Sequence, residues 1–242
     1  MEASDVVLAR LRPLVAAHRC CSQAPVRFRP DTWRPWLEEH RLTAVLECGS
    51  PGRRPSERLL SREDLAGLRD AVGTDTDGLR ELFTAVMIWG SGTTNGRGPR
   101  NTEKALSDAQ LSPTLLRTYG MVRAGDLVGA YRSFRIAGVG FPFFTKWFAA
   151  VDDGSAGDRA LILDSRVFAT LNELGWMSWQ SAGTPNRAMR YAVYVHQMNL
   201  WARALDVDPP WLEWLLFKLN GMRCIGCCLG VTDGPDPVAI PR

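Results

Sequence analysis

Apolar residues recur every three or four positions along most of the chain, and sustained alternation of apolar and polar residues is nearly absent. The first pattern is typical of amphipathic helices and the second of half-buried strands, so the sequence predicts a mostly α fold. The predicted helices are Asp5–Cys20, Asp31–His40, Arg62–Val72, Gly78–Trp89, Asn101–Leu106, Pro113–Tyr119, Gly125–Ile136, Pro142–Val151, Ser165–Leu174, Asn186–Leu205 and Pro209–Leu219.

Start signals support several of these helices. Ser61 precedes an acidic first turn, Asn186 precedes a long amphipathic run, and Asp208 precedes two prolines, which suit the first turn of a helix. We predict an N-terminal helical segment (1–75) that braces the core, a core (76–229) and an extended tail (230–242), while glycine, proline and serine content peaks at 48–56 and 90–99. The segment 90–98 contains four glycines among polar side chains, which is typical of a functional loop.

Composition sets broad limits. The 242 residues are 45% hydrophobic and 23% charged, as in an ordinary soluble globule, and the net charge of +3 neither demands nor excludes nucleic acid. Positive charge is concentrated between Arg97 and Lys146, a segment that contains eight basic and three acidic residues. The sequence has no long apolar run and no signal-peptide pattern at its start, so we expect a cytoplasmic monomer that does not bind a membrane.

The six cysteines form neither a disulfide framework nor a complete zinc motif. Cys224, Cys227 and Cys228 contain a CxxC pair without a second half, which is a weak metal signal. We therefore predict no metal site and no cofactor.

The most informative segment is Gly138-Val139-Gly140, which lies between two predicted helices, followed by Leu163-Asp164-Ser165-Arg166-Val167 at the head of another. A Gly-x-Gly turn exposes unpaired backbone N–H groups that can hold a phosphate. A carboxylate nearby could stabilise positive charge on a sugar. We interpret the pair as a DNA backbone clamp beside a catalytic Asp164, although an Asp in that place also serves as a helix N-cap.

These segments, together with Phe83-Thr84-Ala85-Val86-Met87, resemble in order and spacing the helix-hairpin-helix DNA glycosylases. The resemblance extends over about Leu79–Leu219 and includes bacterial proteins with an 8-oxoguanine glycosylase-like fold, some of which attack phage DNA. It implies two packed helical subdomains with the active-site cleft between them. It also implies that Gly138, Val139 and Gly140 bind the DNA backbone, with a monovalent cation held by the hairpin carbonyls.

One departure from the family pattern concerns lysine. In members that also cut the strand, a lysine just after the hairpin attacks the sugar, and that position is Pro142 here. The resemblance therefore implies a monofunctional enzyme that uses water. Lys146 lies one helical turn further and is a substitute catalytic candidate, but a phosphate contact or a surface charge is the favoured interpretation.

The sequence identifies the residues of the base pocket less clearly. Trp89 at a helix end is the candidate aromatic platform, and Ser91, Asn95, Arg97 and Phe141 are further pocket or wedge candidates. Arg166 beside Asp164 could pair with a phosphate or with a carboxylate.

We therefore predict a DNA N-glycosylase that excises a modified base from double-stranded DNA. The substrate is left open between glucosylated hydroxymethylcytosine of phage DNA, in antiviral defence, and 8-oxoguanine, in repair. The alternative is a non-catalytic DNA-binding module that keeps the hairpin without the chemistry.

Overall fold

The computed structural model of the chain describes residues 3–92 and 97–220. These ranges contain twelve α-helices, a 3-10 helix (Thr43–Glu47) and a small sheet. The predicted mostly α fold is confirmed. The helices are α1 (Ala3–His18), α2 (Pro30–Leu37), α3 (Arg62–Val72), α4 (Thr76–Ser91), α5 (Arg97–Leu106), α6 (Leu111–Arg123), α7 (Leu127–Ser133), α8 (Phe141–Val151), α9 (Ser165–Glu173), α10 (Ser178–Ala182), α11 (Arg187–Leu205) and α12 (Pro209–Leu219).

The predicted capping residues begin their helices as expected. Ser61 and Asp64 form a reciprocal capping box at the start of α3. The side chain of Asn186 accepts hydrogen bonds from the first-turn amides of α11. The predicted bounds of α3 and α12 agree with the structure to the residue.

Three strands in the N-terminal part were not predicted. β1 (Val26–Phe28), β2 (Ser50–Pro51) and β3 (Arg58–Leu60) form an antiparallel sheet in the order β1-β3-β2. Strands of two or three residues are too short to show alternation, so the periodicity could not reveal them. The segment 1–75 is therefore not purely helical.

The core is continuous and rich in aromatic side chains. Helix α4 packs against α3, α5, α6 and α8, and ten of its residues are buried. Trp147 on α8 and Tyr191 and Trp201 on α11 are fully buried. Because large aromatic side chains remove much apolar area from water, they hold α8 and α11 rigidly in place. Within the described ranges, no helix has the length and apolar character needed to cross a membrane.

Candidate active site

A tight turn separates α7 from α8. Val139 N donates to Ile136 O at 3.2 Å, and Gly138 has φ +84°, a conformation that favours glycine. The amides of Gly138 and Gly140 make no hydrogen bond to any described residue, and both glycines are exposed. They are therefore free to bind an anion in front of α8. The carbonyls of Ala137 and Val139 also accept no hydrogen bond within the described ranges, and the monovalent cation implied there by the resemblance stays a prediction.

Asp164 is the N-cap of α9. Its Oδ1 accepts a hydrogen bond from Arg166 N at 2.9 Å, and the residue is half-buried. The capping role expected for Asp164 is confirmed. One carboxylate oxygen is used in this way, which leaves the other available for a substrate.

Two tyrosines of α11 fix the extended segment 160–163 that leads to Asp164. Tyr191 OH donates to Leu161 O at 2.8 Å, and Tyr194 OH donates to Ile162 O at 2.9 Å. Burial raises the pKa of both tyrosines well above the usual value, so the hydroxyls remain protonated donors. The carbonyls before Asp164 are therefore anchored to the core.

The amides of the same segment are anchored as well. Leu163 N donates to Thr145 Oγ1 at 3.0 Å, and this hydroxyl donates in turn to Phe141 O at 2.6 Å. Thr145 therefore connects the first turn of α8, next to the hairpin, with the residue that precedes Asp164. The hairpin and the carboxylate are thereby held in one rigid arrangement.

A buried carboxylate on α12 completes the anchoring. Glu213 is 2% exposed; its Oε2 accepts from Ile162 N at 2.8 Å and its Oε1 accepts from Arg62 Nη2 at 2.9 Å. Arg62 also donates to Gln23 Oε1 at 2.7 Å, and its guanidinium carbon lies 5.1 Å from the centre of the Trp89 ring. The N-terminal segment therefore does more than brace the core, because Arg62 and Gln23 reach the site.

Sequence reasoning missed Arg62 and Glu213. A signal for Glu213 was present, because it is the only acidic residue of α12, whose other residues are apolar except for Lys218 in the last turn. A lone acid in a buried apolar stripe indicates a paired charge. Its partner could not be identified from the sequence, since Arg62 lies 151 residues away.

Lys146 is half-buried on α8 and lines a cleft. The phosphate contact or snorkelling charge favoured from the sequence stays a prediction. The Lys146 Nζ donates to Pro142 O at 3.1 Å and lies 5.0 Å from the centre of the Phe143 ring. Burial lowers the pKa of this amine, while the negative charges of Asp164 and Glu213 oppose the shift. A lysine with a lowered pKa has more of its neutral, nucleophilic form at neutral pH.

One cleft lies beside this amine, and a second cleft adjoins the first. The first, of about 210 Å³, is lined by Lys146 and Ile162; the second, of about 420 Å³, is lined by Gln23 and Trp214. Both clefts are lined by Arg62, Glu63, Trp89, Asp208 and Pro210. The half-buried amine, the Trp89 ring and the carboxylates of Glu63 and Asp208 therefore line the smaller cleft, whereas Asp164 lines neither cleft.

The other predicted site residues are dispersed. Trp89 is only 7% exposed and forms a cleft wall, whereas Phe141 is 36% exposed and lines a separate groove. The Arg166 guanidinium lies over the Phe217 ring at 4.9 Å. Ser91 ends α4 and Arg97 begins α5, on either side of the glycine-rich loop.

Several predicted features lie outside the described residues. These are Asn95, in the loop between α4 and α5, the cysteines at 224, 227 and 228, and the predicted tail 230–242. Within residues 3–92 and 97–220, no group of three or more His, Cys, Asp or Glu side chains is arranged to hold a metal ion.

Comparison with known proteins gives one match. The model of the family described as "Putative 8-oxoguanine DNA glycosylase OGG-like protein" matches residues 19–217. The match begins well before α3, so it includes the segment that supplies Gln23 and Arg62. No curated protein and no solved structure shows significant similarity to the chain.

Proposed function

Since the chain belongs to the 8-oxoguanine DNA glycosylase OGG-like family, we propose that it is a DNA N-glycosylase that excises a modified base from duplex DNA. The observation that carries the proposal is the anchored segment 160–163, which leads to Asp164, a carboxylate whose charge acts on the half-buried amine of Lys146. A binding module would need the exposed hairpin but would not need a lysine with a lowered pKa.

The proposed reaction begins with a base leaving the helical stack. Extruding a base costs a few kcal/mol, and the hairpin amides of Gly138 and Gly140 can hold the distorted backbone while it happens. The base enters the cleft next to Trp89. As the bond between the sugar and the base lengthens, positive charge develops on the sugar, and the carboxylate of Asp164 stabilises it.

The nucleophile that replaces the base is water or the Lys146 amine. Because Pro142 stands in the position of the family lysine, the sequence predicts water and an abasic product. The lowered pKa of Lys146 favours the amine instead. In that route the nitrogen bonds to C1′ as the bond to the base breaks with its electrons leaving on the base, and the nitrogen loses a proton. The C1′–O4′ bond then opens with its electrons leaving on O4′, which takes up a proton, and a protonated imine between Lys146 and C1′ results.

The size and polarity of the clefts favour a large base. The larger cleft, of about 420 Å³, lies in the range of pockets that hold whole drug-sized ligands, which is more space than one flat base needs. Gln23, Glu63 and Asp208 line it and could bind hydroxyl groups. We therefore propose a cytosine with a polar substituent, such as glucosylated hydroxymethylcytosine, as substrate, which would serve antiviral defence. The family name supports 8-oxoguanine as the second candidate.

Mass spectrometry of released bases tests this proposal. The purified chain is incubated with unmodified DNA, DNA containing 8-oxoguanine, and phage DNA containing hydroxymethylated or glucosylated cytosine. Release of one modified base identifies the activity and the substrate, and release of none from DNA that is bound contradicts it. Borohydride reduction then distinguishes the nucleophiles, since only an imine on Lys146 gives a covalent complex that K146M lacks.

A further inference from the structure

A second basic groove lies beside the hairpin. This arginine groove, of about 540 Å³, is formed by Tyr131, Arg132, Arg135, Phe141 and Arg187, at the junction of α7, α8 and α11. It shares no lining residue with the two clefts next to Lys146. It is therefore a distinct surface feature of the described chain.

The charge of the arginine groove is uncompensated. Arg132, Arg135 and Arg187 are exposed, and no described Asp or Glu forms a salt bridge with them or lines the groove. Arg135 donates only to backbone carbonyls, at 3.0 and 2.9 Å. Three arginines without acidic partners create a positive potential that suits an anionic polymer.

The floor of the groove contains an unused donor. Tyr131 is 6% exposed, and its hydroxyl has no hydrogen-bond partner among the described residues. Burial raises the pKa of Tyr131, so the group stays protonated. Because the residue lines the groove and its hydroxyl donates to no described residue, this hydroxyl has a donor available for a ligand that enters the groove.

The groove also continues the hairpin. Gly140 forms part of its wall, next to the amides that can hold a phosphate. On the other side of the turn, Gly138 lies close to the Lys104 side chain of α5. A DNA strand held at the hairpin would therefore run between Lys104 and the three arginines.

We propose that the arginine groove binds the sugar–phosphate backbone of the strand held at the hairpin, with phosphates at Arg132 and Arg187 and the Tyr131 hydroxyl as an added donor. The inference rests on the proposed function, because it assumes a DNA substrate. It extends the DNA contact beyond the hairpin and the cleft.

Salt dependence of binding tests the groove. Affinity for an unmodified duplex is measured at several salt concentrations for the wild type and for R132A/R187A. The slope of log K against log salt is negative, and each lost phosphate contact reduces its magnitude by about 0.9. The slope of the double variant should therefore be smaller in magnitude by about 1.8. R203A is the control, because Arg203 is an exposed arginine on the same helix as Arg187, about 24 Å from it along the helix axis. The slope for R203A should equal the wild-type slope.

A second variant tests the hydroxyl. Y131F keeps the ring and should weaken binding about tenfold, because a hydrogen bond to a charged group is lost. Slopes for R132A/R187A equal to those of the wild type and R203A would overturn the inference, even if the protein releases bases. A reduced slope in a protein that releases no base would support the groove and contradict the glycosylase instead.

Discussion

Replacing Glu213 by alanine should destabilise the protein strongly. The side chain joins three parts of the chain, because it accepts from the Arg62 guanidinium on α3 and from the amide of Ile162, while α12 carries it. Its carboxylate is almost fully buried, and the Arg62 side chain is 24% exposed. Removing it leaves a shielded cation and a buried amide without their acceptor.

The size of the effect follows from these contacts. Breaking a buried ion pair from one side costs about 3–5 kcal/mol, and this range includes the unsatisfied amide, which alone would cost about 1–3 kcal/mol. For a chain of this length, each kcal/mol shifts Tm by about 2–4 °C. E213A should therefore lower Tm by roughly 6–20 °C. E213Q keeps a hydrogen-bond acceptor and should therefore lower Tm less than E213A does.

Thermal unfolding followed by circular dichroism measures this shift. D70A is the control, because Asp70 pairs with Arg69 at 2.8 Å but its side chain is 66% exposed. An exposed pair contributes little to stability because water and salt screen it, so D70A should stay within a few degrees of the wild type. Equal Tm values for E213A and D70A would refute the reasoning that Glu213 anchors the segment before Asp164.

Three further variants test neighbouring features. Because burial lowers the pKa of Lys146, its charge costs stability at neutral pH, and this cost disappears as pH rises from the lowered pKa to 10.5. K146M should therefore melt at least as high as the wild type at pH 7, with a gain that shrinks by pH 10; a Tm several degrees lower would contradict the desolvation argument. T145V leaves the buried Leu163 amide without its acceptor and should lower the free energy of unfolding by about 1–3 kcal/mol. T84V is its control, because it removes only a hydrogen bond to a helical carbonyl, and it should lower the free energy of unfolding less in the same melts. G138A forces alanine into φ +84°, which should lower the free energy of unfolding by about 1–3 kcal/mol, and it should also weaken binding to duplex DNA. An unchanged affinity in fluorescence anisotropy titrations with duplex DNA would exclude the hairpin from DNA contact.

Much of the helical framework could be predicted from local signals. Helix α3 has a capping box, a periodic apolar face and a following glycine, and each of these is visible within a dozen residues. The Gly138–Gly140 turn and the cap at Asp164 are also local features. For that reason the sequence located the hairpin and the carboxylate correctly on their elements.

The remaining parts depend on contacts between distant residues. Glu213 meets Arg62 and Ile162 only in the folded chain, and no periodicity encodes that meeting. The neighbours of Lys146 in sequence also do not reveal that it lines one cleft together with Arg62 and Pro210. The short strands β1, β2 and β3 are likewise defined by pairing rather than by their own composition.

The most direct test of the account compares the wild type with D164N for release of modified base and for DNA affinity. Asn caps a helix about as well as Asp, so this change removes the charge and keeps the cap. D75N, at the Asp cap of α4, controls for loss of a capping charge elsewhere. We expect D164N to bind DNA as tightly as the wild type but to release no base. D75N should bind DNA and release the base as the wild type does. Base release by D164N at the wild-type rate would contradict a catalytic Asp164.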